Sequence, residues 1–499
     1  MSPRARRSGG PSKLVLAVID GLRPEALERA VADGRAPSLA AILERGTYVD
    51  DCAAAFPSVT PVCTSSIATG TGPGEHRIPA MNWFHRGEGR YVEYGSSFQA
   101  SRRVGIHVSL TDTIYNLNLA HMSRATPTVF ELLDDAGVRT AGTTFLVYRG
   151  RHRHVPTGES ALARLAGATL FRHAVWGPRE FFYADLFATR KTGCRSQLGL
   201  PGARDAHAGC VGAHMVERDL FDFLLLSLPD NDTHSHRLGP ESQVDSAEEA
   251  DRQIARLMEA AGGTEAFLDE HAVIVLADHA HTLVEDSISL LDVFDGHSVL
   301  APDDADPTGA DLALCPGQRF AMAYALDPER REETVAEVLG AVDGVEGIDL
   351  ALWREGDAGV IRSARGELRF SPGGPAADVS GRRWKVEGEL GALEARAEGG
   401  VLVSDTYPDA LARAWSALTC PTAGDVLFSA APGHEFVDWG GADHVGGGSH
   451  GSLHRDDSLG PLAWCGCGPA DRDATSQWTL RDVFPMVLDF FGVPIPSPG

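Results

Sequence analysis

The stretch Phe223-Leu-Leu-Leu-Ser-Leu-Pro-Asp-Asn-Asp-Thr-His-Ser-His-Arg-Leu-Gly-Pro240 decides the fold. Its apolar run, Phe223 to Leu228, is too short for a lone helix and reads as a buried strand stopped by Pro229. Directly behind it Asp230, Asp232, His234 and His236 crowd into seven positions. Open α/β sheets gather ligands at the carboxyl ends of their strands. Carboxylate oxygen together with imidazole nitrogen suits a zinc-like divalent cation. A polar loop whose Asp and His only cap the next helix would use the same residues, so this stretch alone leaves both readings open.

The same pattern recurs twice. Leu14 to Ile19 is an apolar run ending in Asp20-Gly21, and Val273 to Ala277 ends in Asp278-His279. Three buried strands thus deliver an acid, or an acid and a His, at their exits. Carboxylates stacked at one sheet edge repel one another at short range. Cations would neutralise them, which tips the reading towards metal.

Composition sets the outer bounds. A 43% hydrophobic and 23% charged content is that of a soluble globular chain able to bury a large core. A formal charge of −25 argues against a general nucleic-acid or anionic-membrane binder. It leaves an anionic small substrate open, because a metal dominates its local field. Leu14 to Ile19 is too short for a signal core and runs straight into Asp20; no stretch approaches the ~20 apolar residues of a spanning helix. Eight cysteines without regular spacing read as reduced thiols, Cys465 and Cys467 as structural, and the expected location is cytoplasmic.

Along the chain, residues 1–12 read as a disordered tail. Helices follow from Pro24 to about residue 33 and over residues 37–46. Phe56-Pro57-Ser58-Val59-Thr60 leads into a helix reaching Ala68, so a hydroxyl sits at a helix N-terminus, where N–H donors and the positive end of the dipole collect. A plain N-cap role for Thr60 or Ser58 is the alternative. Gly70 to Arg86 reads as a loop carrying His76 and Asn82, residues 100–125 as irregular, and Thr140 to Val147 as a strand. Between Arg149 and Arg195 nine Arg or Lys face three acids, a local balance of +6. That segment is a candidate wall for an anionic substrate, with Arg149 singled out. Gly239-Pro240 opens an amphipathic helix to about Ala261. Arg319–Leu326, Pro328–Val342, Ile348–Arg354 and Ala358–Phe370 read as βαββ, Gly424 to Phe428 as a return to the core, and Leu480 to Phe491 as the last helix. The expected fold class is α/β: a mostly parallel central sheet flanked by helices, over residues 13–300 and 424–499, with a substrate-side insertion at about 87–215 and a small α+β cap at 301–423.

Five pieces in order resemble the type I phosphodiesterase/nucleotide pyrophosphatase branch of the alkaline phosphatase superfamily. They are Val18-Ile19-Asp20-Gly21, Phe56 to Thr60, Asp232 through His236 followed by Gly239-Pro240, Ala277-Asp278-His279, and Gly448-Ser449-His450-Gly451. The resemblance implies an alkaline phosphatase-like sheet and two zinc ions. One would be held by Asp232, His236 and His450, the other by Asp20, Asp278, His279 and the Thr60 oxygen. Asp230 and His234 keep the same internal spacing two residues earlier and are the alternative pair; His234 is otherwise a partner of the ligands. Thr60 would be the nucleophile of a phospho-threonine intermediate, with Ser58 next in line, and Asn82 would donate to a non-bridging oxygen. The interval from His76 to Asn82 is about two residues longer than the family pattern.

The implied activity is hydrolysis of phosphodiester or nucleotide pyrophosphate bonds in a small phosphorylated substrate, with no nucleic-acid scaffold or membrane as partner. A phosphomonoesterase using Arg149 as the additional cation, a phosphonate hydrolase, and a non-catalytic binding protein are the alternatives.

Overall fold

Leu14, Leu16 and Val18 pack on one side of their strand, and Val15, Ala17 and Ile19 on the other; all six are buried. That two-residue alternation, apolar on both faces, is what a strand in the middle of a two-sided sheet requires. In the computed structural model, which describes residues 10–157, 171–196, 200–304, 307–469 and 477–496, this strand is Lys13–Ile19. It lies between Phe223–Leu228 and His271–Leu276, parallel to both. Thr140–Thr143 and Glu180–Tyr183 continue the parallel run, while Leu459–Cys465 joins the opposite side antiparallel and Thr47–Ala53 closes that edge.

Register matters for function. Ile19 pairs with Leu228 and Val18 with Leu276, so the three central strands end level with one another. Asp20, the helix after Pro229, and Asp278 therefore leave the sheet side by side. Helices Pro24–Ala32, Arg204–Glu217 and Gln243–Ala260 cover one face; Val244, Ala247, Ile254, Leu257 and Met258 of the last are all buried. Helices Thr60–Thr69 and Val483–Phe490 help to fill the other.

Beside this core stands a second sheet, almost wholly antiparallel. Its order is Leu312–Gly317, Phe320–Ala325, Val426–Ala430, Ile348–Glu355, Ala358–Ser363, Gly366–Asp378, then Val401–Val403 and Arg396–Glu398, with Arg383–Gly388 also paired to Gly366–Asp378. Three expectations change here. The strand at Val426 sits in the middle of this second sheet and does not return to the central one. The strand expected over Ala358–Phe370 is a hairpin, turned at Ala364-Arg365. The segment 87–215 is no simple insertion, since three of its strands, Thr140–Thr143, Glu180–Tyr183 and Phe187–Ala188, belong to the central sheet.

Smaller departures have local causes. The strand from Thr140 stops at Thr143 because Thr144 adopts φ +50°. The loop expected over Gly70–Arg86 holds a one-turn helix, Pro73–His76, and a strand, Asn82–His85, paired with Arg90–Glu93. Residues expected to be irregular form helices Phe98–Val104 and Ile106–Thr111 and a π-helical stretch, Asp112–His121. Residues 1–9 of the expected tail lie outside the described residues; the amide of Ser12 already donates to the Glu270 carbonyl at 3.0 Å.

The reduced-thiol expectation fails at one pair. Cys194 and Cys210, sixteen residues apart with Cα atoms at 5.9 Å, form a disulfide between a loop and helix Arg204–Glu217. The other six cysteines are free. Among the described residues no helix is long and apolar enough to cross a membrane.

Candidate metal centre

Asp20 follows the last residue of its strand, and its amide donates to the Leu228 carbonyl at 3.1 Å, extending the ladder by one step. Gly21 turns the chain away at φ +68°, in the left-handed region that favours glycine. A side chain there would also strike the His281 ring, whose Nε2 lies 2.5 Å from where its Cβ would be. The Gly21 and His279 amides both donate to Asp278 Oδ1 at 3.1 Å, tying two strand exits together.

After Pro229 the chain is helical from Asp230 to Leu238. Asp232 and His236 are four residues apart and share a helix face; Asp230 and His234 share another, offset by two residues or about 200°. The structure uses the two pairs differently. Asp230 accepts from the Gly202 and Asp205 amides and from Arg204 Nε, at 2.8–3.0 Å. His234 stands apart from the cluster, its Nε2 buried without a hydrogen-bond partner. Asp232 and His236 point into the centre.

The fourth contribution comes from the glycine-rich loop. Thr282 pairs with Ser449 and Leu283 with Gly448, so His281 and His450 become neighbours across a short antiparallel ladder. Gly451, at φ +125°, lets the loop lie against the Arg319 backbone, and the Arg319 amide donates to the His450 carbonyl at 2.9 Å. Arg319 is fully buried and ion-paired with Asp457, whose carboxylate also accepts from the Ser452 amide at 2.8 Å.

These elements bring two groups of ligand atoms together. Asp232, His236, His281 and His450 form one, and Asp20, Asp232 and His279 the other, with the atoms of each within 4.8 Å of one another. Asp232 Oδ1 lies 3.2 Å from His236 Nε2, 3.1 Å from His281 Nε2 and 3.4 Å from His450 Nε2. His279 Nε2 lies 3.4 Å from Asp20 Oδ1, 3.8 Å from Asp278 Oδ2 and 3.3 Å from Thr60 Oγ1. A tetrahedral cation with ligands at ~2.0–2.1 Å holds neighbouring ligand atoms ~3.3 Å apart. The separations of 3.1–3.4 Å fit that spacing, and Asp278 Oδ2, at 3.8 Å, stands somewhat wider.

The imidazoles are also oriented for such a role. His236 Nδ1 donates to the Gly448 carbonyl at 2.7 Å, His450 Nδ1 to the Ser58 carbonyl at 2.8 Å, and His279 Nδ1 to the Ala280 carbonyl at 3.2 Å. A carbonyl only accepts, so each proton sits on Nδ1 and each Nε2 keeps its lone pair for the centre.

Electrostatics point the same way. Burial, then the nearby Asp278 and Asp232, pushes the Asp20 carboxyl well above its ordinary range, and burial pushes Asp278 up to about 7. Burial also opposes ionisation of Asp232, but His236, His281 and His450 around it hold its carboxyl well below the usual range. Burial lowers His281 to about 3 and keeps His279 neutral. Asp20 Oδ1 and Asp278 Oδ2 are buried without a hydrogen-bond partner. An unpartnered buried acceptor costs about 1–3 kcal/mol, which a cation in the cluster would remove.

Thr60 is the first residue of its helix, and Val59 occupies the capping position. Its hydroxyl makes no cap and faces His279, so the N-cap alternative does not describe it. Ser58 is fully buried: its Oγ donates to the Ser452 carbonyl at 2.9 Å and accepts from the Gly451 amide at 3.1 Å, which leaves no free nucleophile. Asn82 begins its strand, 2% exposed, and its Nδ2 donates to the Pro316 carbonyl; one N–H and Oδ1 stay unpaired.

Arg149 corrects an expectation. It is 5% exposed and spends its guanidinium inside the protein: Nε reaches Glu131 at 3.0 Å, and the terminal nitrogens reach the Met122, Ser123 and Thr126 carbonyls. It holds a loop, with its guanidinium turned into the protein. Its neighbours are similarly paired, Arg151 with Glu131 and Asp135, and Arg190 with Glu180; Arg164 lies outside the described residues.

The residue that the sequence reading missed is His281. Its signal was present in Asp278-His279-Ala280-His281, where two histidines two apart in extended chain fall on one side.

The family model of the type I phosphodiesterases and nucleotide pyrophosphatases matches residues 14–452, a span that takes in every residue of both clusters. The chain belongs to that family. It is thereby placed among the enzymes that hydrolyse phosphoric esters and pyrophosphates. Its fold is similar to those of phosphonoacetate hydrolase from Sinorhizobium meliloti 1021 in complex with phosphonoformate (17% identity, TM-score 0.57, 98% of each chain) and murine ectonucleotide pyrophosphatase/phosphodiesterase 5 (13% identity, TM-score 0.58, 98% of this chain and 97% of that one). The human ectonucleotide pyrophosphatase/phosphodiesterase 5 gives 14% identity and a TM-score of 0.56 over 98% and 96% of the two chains. These likenesses establish the alkaline phosphatase-like fold. No curated protein matches the chain in sequence.

Proposed function

We propose that this family member is a metal-dependent hydrolase of phosphodiester or nucleotide pyrophosphate bonds that uses Thr60 as its nucleophile. The observation carrying this reading is the position of Thr60 Oγ1, at the head of a ten-residue helix and 3.3 Å from His279 Nε2, beside two Asp/His clusters that share Asp232. The mixed imidazole and carboxylate donors suit zinc. His236, His450 and Asp232 would hold one ion, and Asp20, Asp278 and His279 the other. Bound there, the two cations would lower the hydroxyl's pKa and offset the charge that accumulates at phosphorus.

Thr60 Oγ then bonds to phosphorus as the bond to the leaving oxygen breaks, giving a phospho-threonine. Water opens that ester, restoring the Thr60 hydroxyl and releasing the phosphorylated product. Pro61 has no N–H, and the Val62 and Cys63 amides both donate to the Val59 carbonyl at 3.0 Å, so the unpaired N–H of Asn82 is the donor offered to a non-bridging oxygen. Arg149 is committed to Glu131, so it offers no cation for the second charge of a monoester, and this favours the diester among the candidate substrates. The partner is a small phosphorylated molecule.

The test loads the protein with zinc and compares aryl phosphodiesters, phosphomonoesters and phosphonates, with Thr60→Ala as control. The diester is expected to turn over fastest, and Thr60→Ala to remove the rate while keeping the fold and bound metal. Near wild-type turnover in Thr60→Ala would refute the nucleophile assignment. A phosphonate turned over faster than any ester would shift the reading to a phosphonate hydrolase, the activity in the name of the Sinorhizobium neighbour.

A further inference from the structure

His281 belongs to the first group of convergent donors but to neither ion's ligand set as assigned above. Its ring is 1% exposed and held between two glycines: a Cβ on Gly21 would meet its Nε2 at 2.5 Å, and a Cβ on Gly448 its Nδ1 at 3.0 Å. Its Nε2 lies 3.1 Å from Asp232 Oδ1, the shortest of the three imidazole approaches to that oxygen. It belongs to the same group of convergent donors as Asp232, His236 and His450. The other three imidazoles of the centre anchor Nδ1 on a backbone carbonyl, whereas His281 Nδ1 is buried with no partner. With no hydrogen bond at Nδ1, the ring's one polar contact is the approach of its Nε2 to Asp232, on the side of the donor cluster.

We propose, resting on the two-cation reading above, that His281 is a fourth protein ligand of the first ion, closing its shell with Asp232, His236 and His450. Four protein donors complete a tetrahedral set, as in structural zinc sites, whereas catalytic sites keep a position open. The two ion positions are then unequal. The first is saturated by protein and tightly held. The second, with Asp20, Asp278, His279 and the Thr60 hydroxyl, keeps the place where substrate enters, and a substrate oxygen reaches the first ion only as a fifth ligand.

The experiment titrates metal-free protein with Co2+ and Zn2+, measures affinities by chelator competition, and records the visible absorption of the cobalt-loaded protein. It compares wild type, His281→Ala and His281→Gln, each checked by its melting profile. Wild type is expected to bind two equivalents, one at least about 100-fold tighter than the other. Both variants should still bind two, with the tighter site weakened at least about 100-fold, beyond the ~10–100-fold typical of a group that only orients a ligand. The cobalt spectrum should change, and added imidazole should restore it in His281→Ala; if that variant does not fold, His281→Gln carries the test through its spectrum and affinity. A cobalt spectrum unchanged by either substitution would overturn the assignment, whatever the affinity loss, because the ligand set would be the same. Wild-type protein binding no stoichiometric metal would instead overturn the two-cation reading itself.

Discussion

His236 and His234 stand two residues apart on one helix, and replacing each by alanine separates a ligand from a bystander. Four donors surround the first ion position, Asp232, His236, His281 and His450. Zinc bound by four protein ligands is worth about 10–16 kcal/mol, so one quarter of the set is about 2.5–4 kcal/mol. At about 1.4 kcal/mol per decade, His236→Ala should weaken the ion by two to three orders of magnitude. It also removes the hydrogen bond to the Gly448 carbonyl and the face on which the His444 ring stacks at 4.2 Å, at a further cost to the fold of about 1 kcal/mol. His234 contributes no atom to either cluster, and its Nε2 has no hydrogen bond to lose. His234→Ala should therefore leave affinity within about tenfold, inside the range of an indirect effect. Competition against a chromophoric chelator reads both variants on one scale. Equal losses from the two substitutions, or a larger loss from His234→Ala, would refute the ligand register and with it the first ion position.

Two further outcomes follow from groups outside the centre. Arg149→Met strips a buried ion pair and three carbonyl contacts, so unfolding free energy in urea should fall by about 3–5 kcal/mol, while the ratio of monoester to diester rates stays within about twofold; a selective loss of monoester turnover at unchanged stability would return Arg149 to the substrate. Asp205, whose Oδ1 accepts from the Asp230 amide at 2.9 Å, is pushed up to about 8 by burial and then by Asp230. It stays protonated in the fold while the unfolded chain ionises near its ordinary ~3.9, so the wild type loses stability between about pH 4 and 8, and Asp205→Asn should remove up to an order of 5 kcal/mol of that slope. Denaturation curves at pH 5 and pH 8 that shift equally in variant and wild type would contradict it.

What the sequence made legible was chemistry carried by short spacings. Apolar runs ending in acids marked three strand exits, and the register of Ile19 with Leu228 and Val18 with Leu276 explains why those acids meet. The choice of Asp232 and His236 over Asp230 and His234 rested on distance to Gly239-Pro240. The helix supplies its physical ground, because a two-residue offset turns the second pair away, where Asp230 meets Arg204 at 2.8 Å. What stayed hidden depended on partners distant in sequence. A balance of +6 between Arg149 and Arg195 counts charges but not their pairing, and Arg149 answers to Glu131, outside the counted segment. The Cys194–Cys210 disulfide has no spacing signature either. Val426–Ala430 is buried and apolar enough for either sheet, and only its pairing with Phe320–Ala325 and Ile348–Glu355 assigns it. His281 falls between the two kinds. Its alternation with His279 was local, but its meaning needed the Thr282–Ser449 pairing that sets it against His450. Both histidines then converge on an oxygen of Asp232, so the number of donors gathered in that cluster is decided by a β-ladder of two residues, beyond the reach of any motif read along the chain.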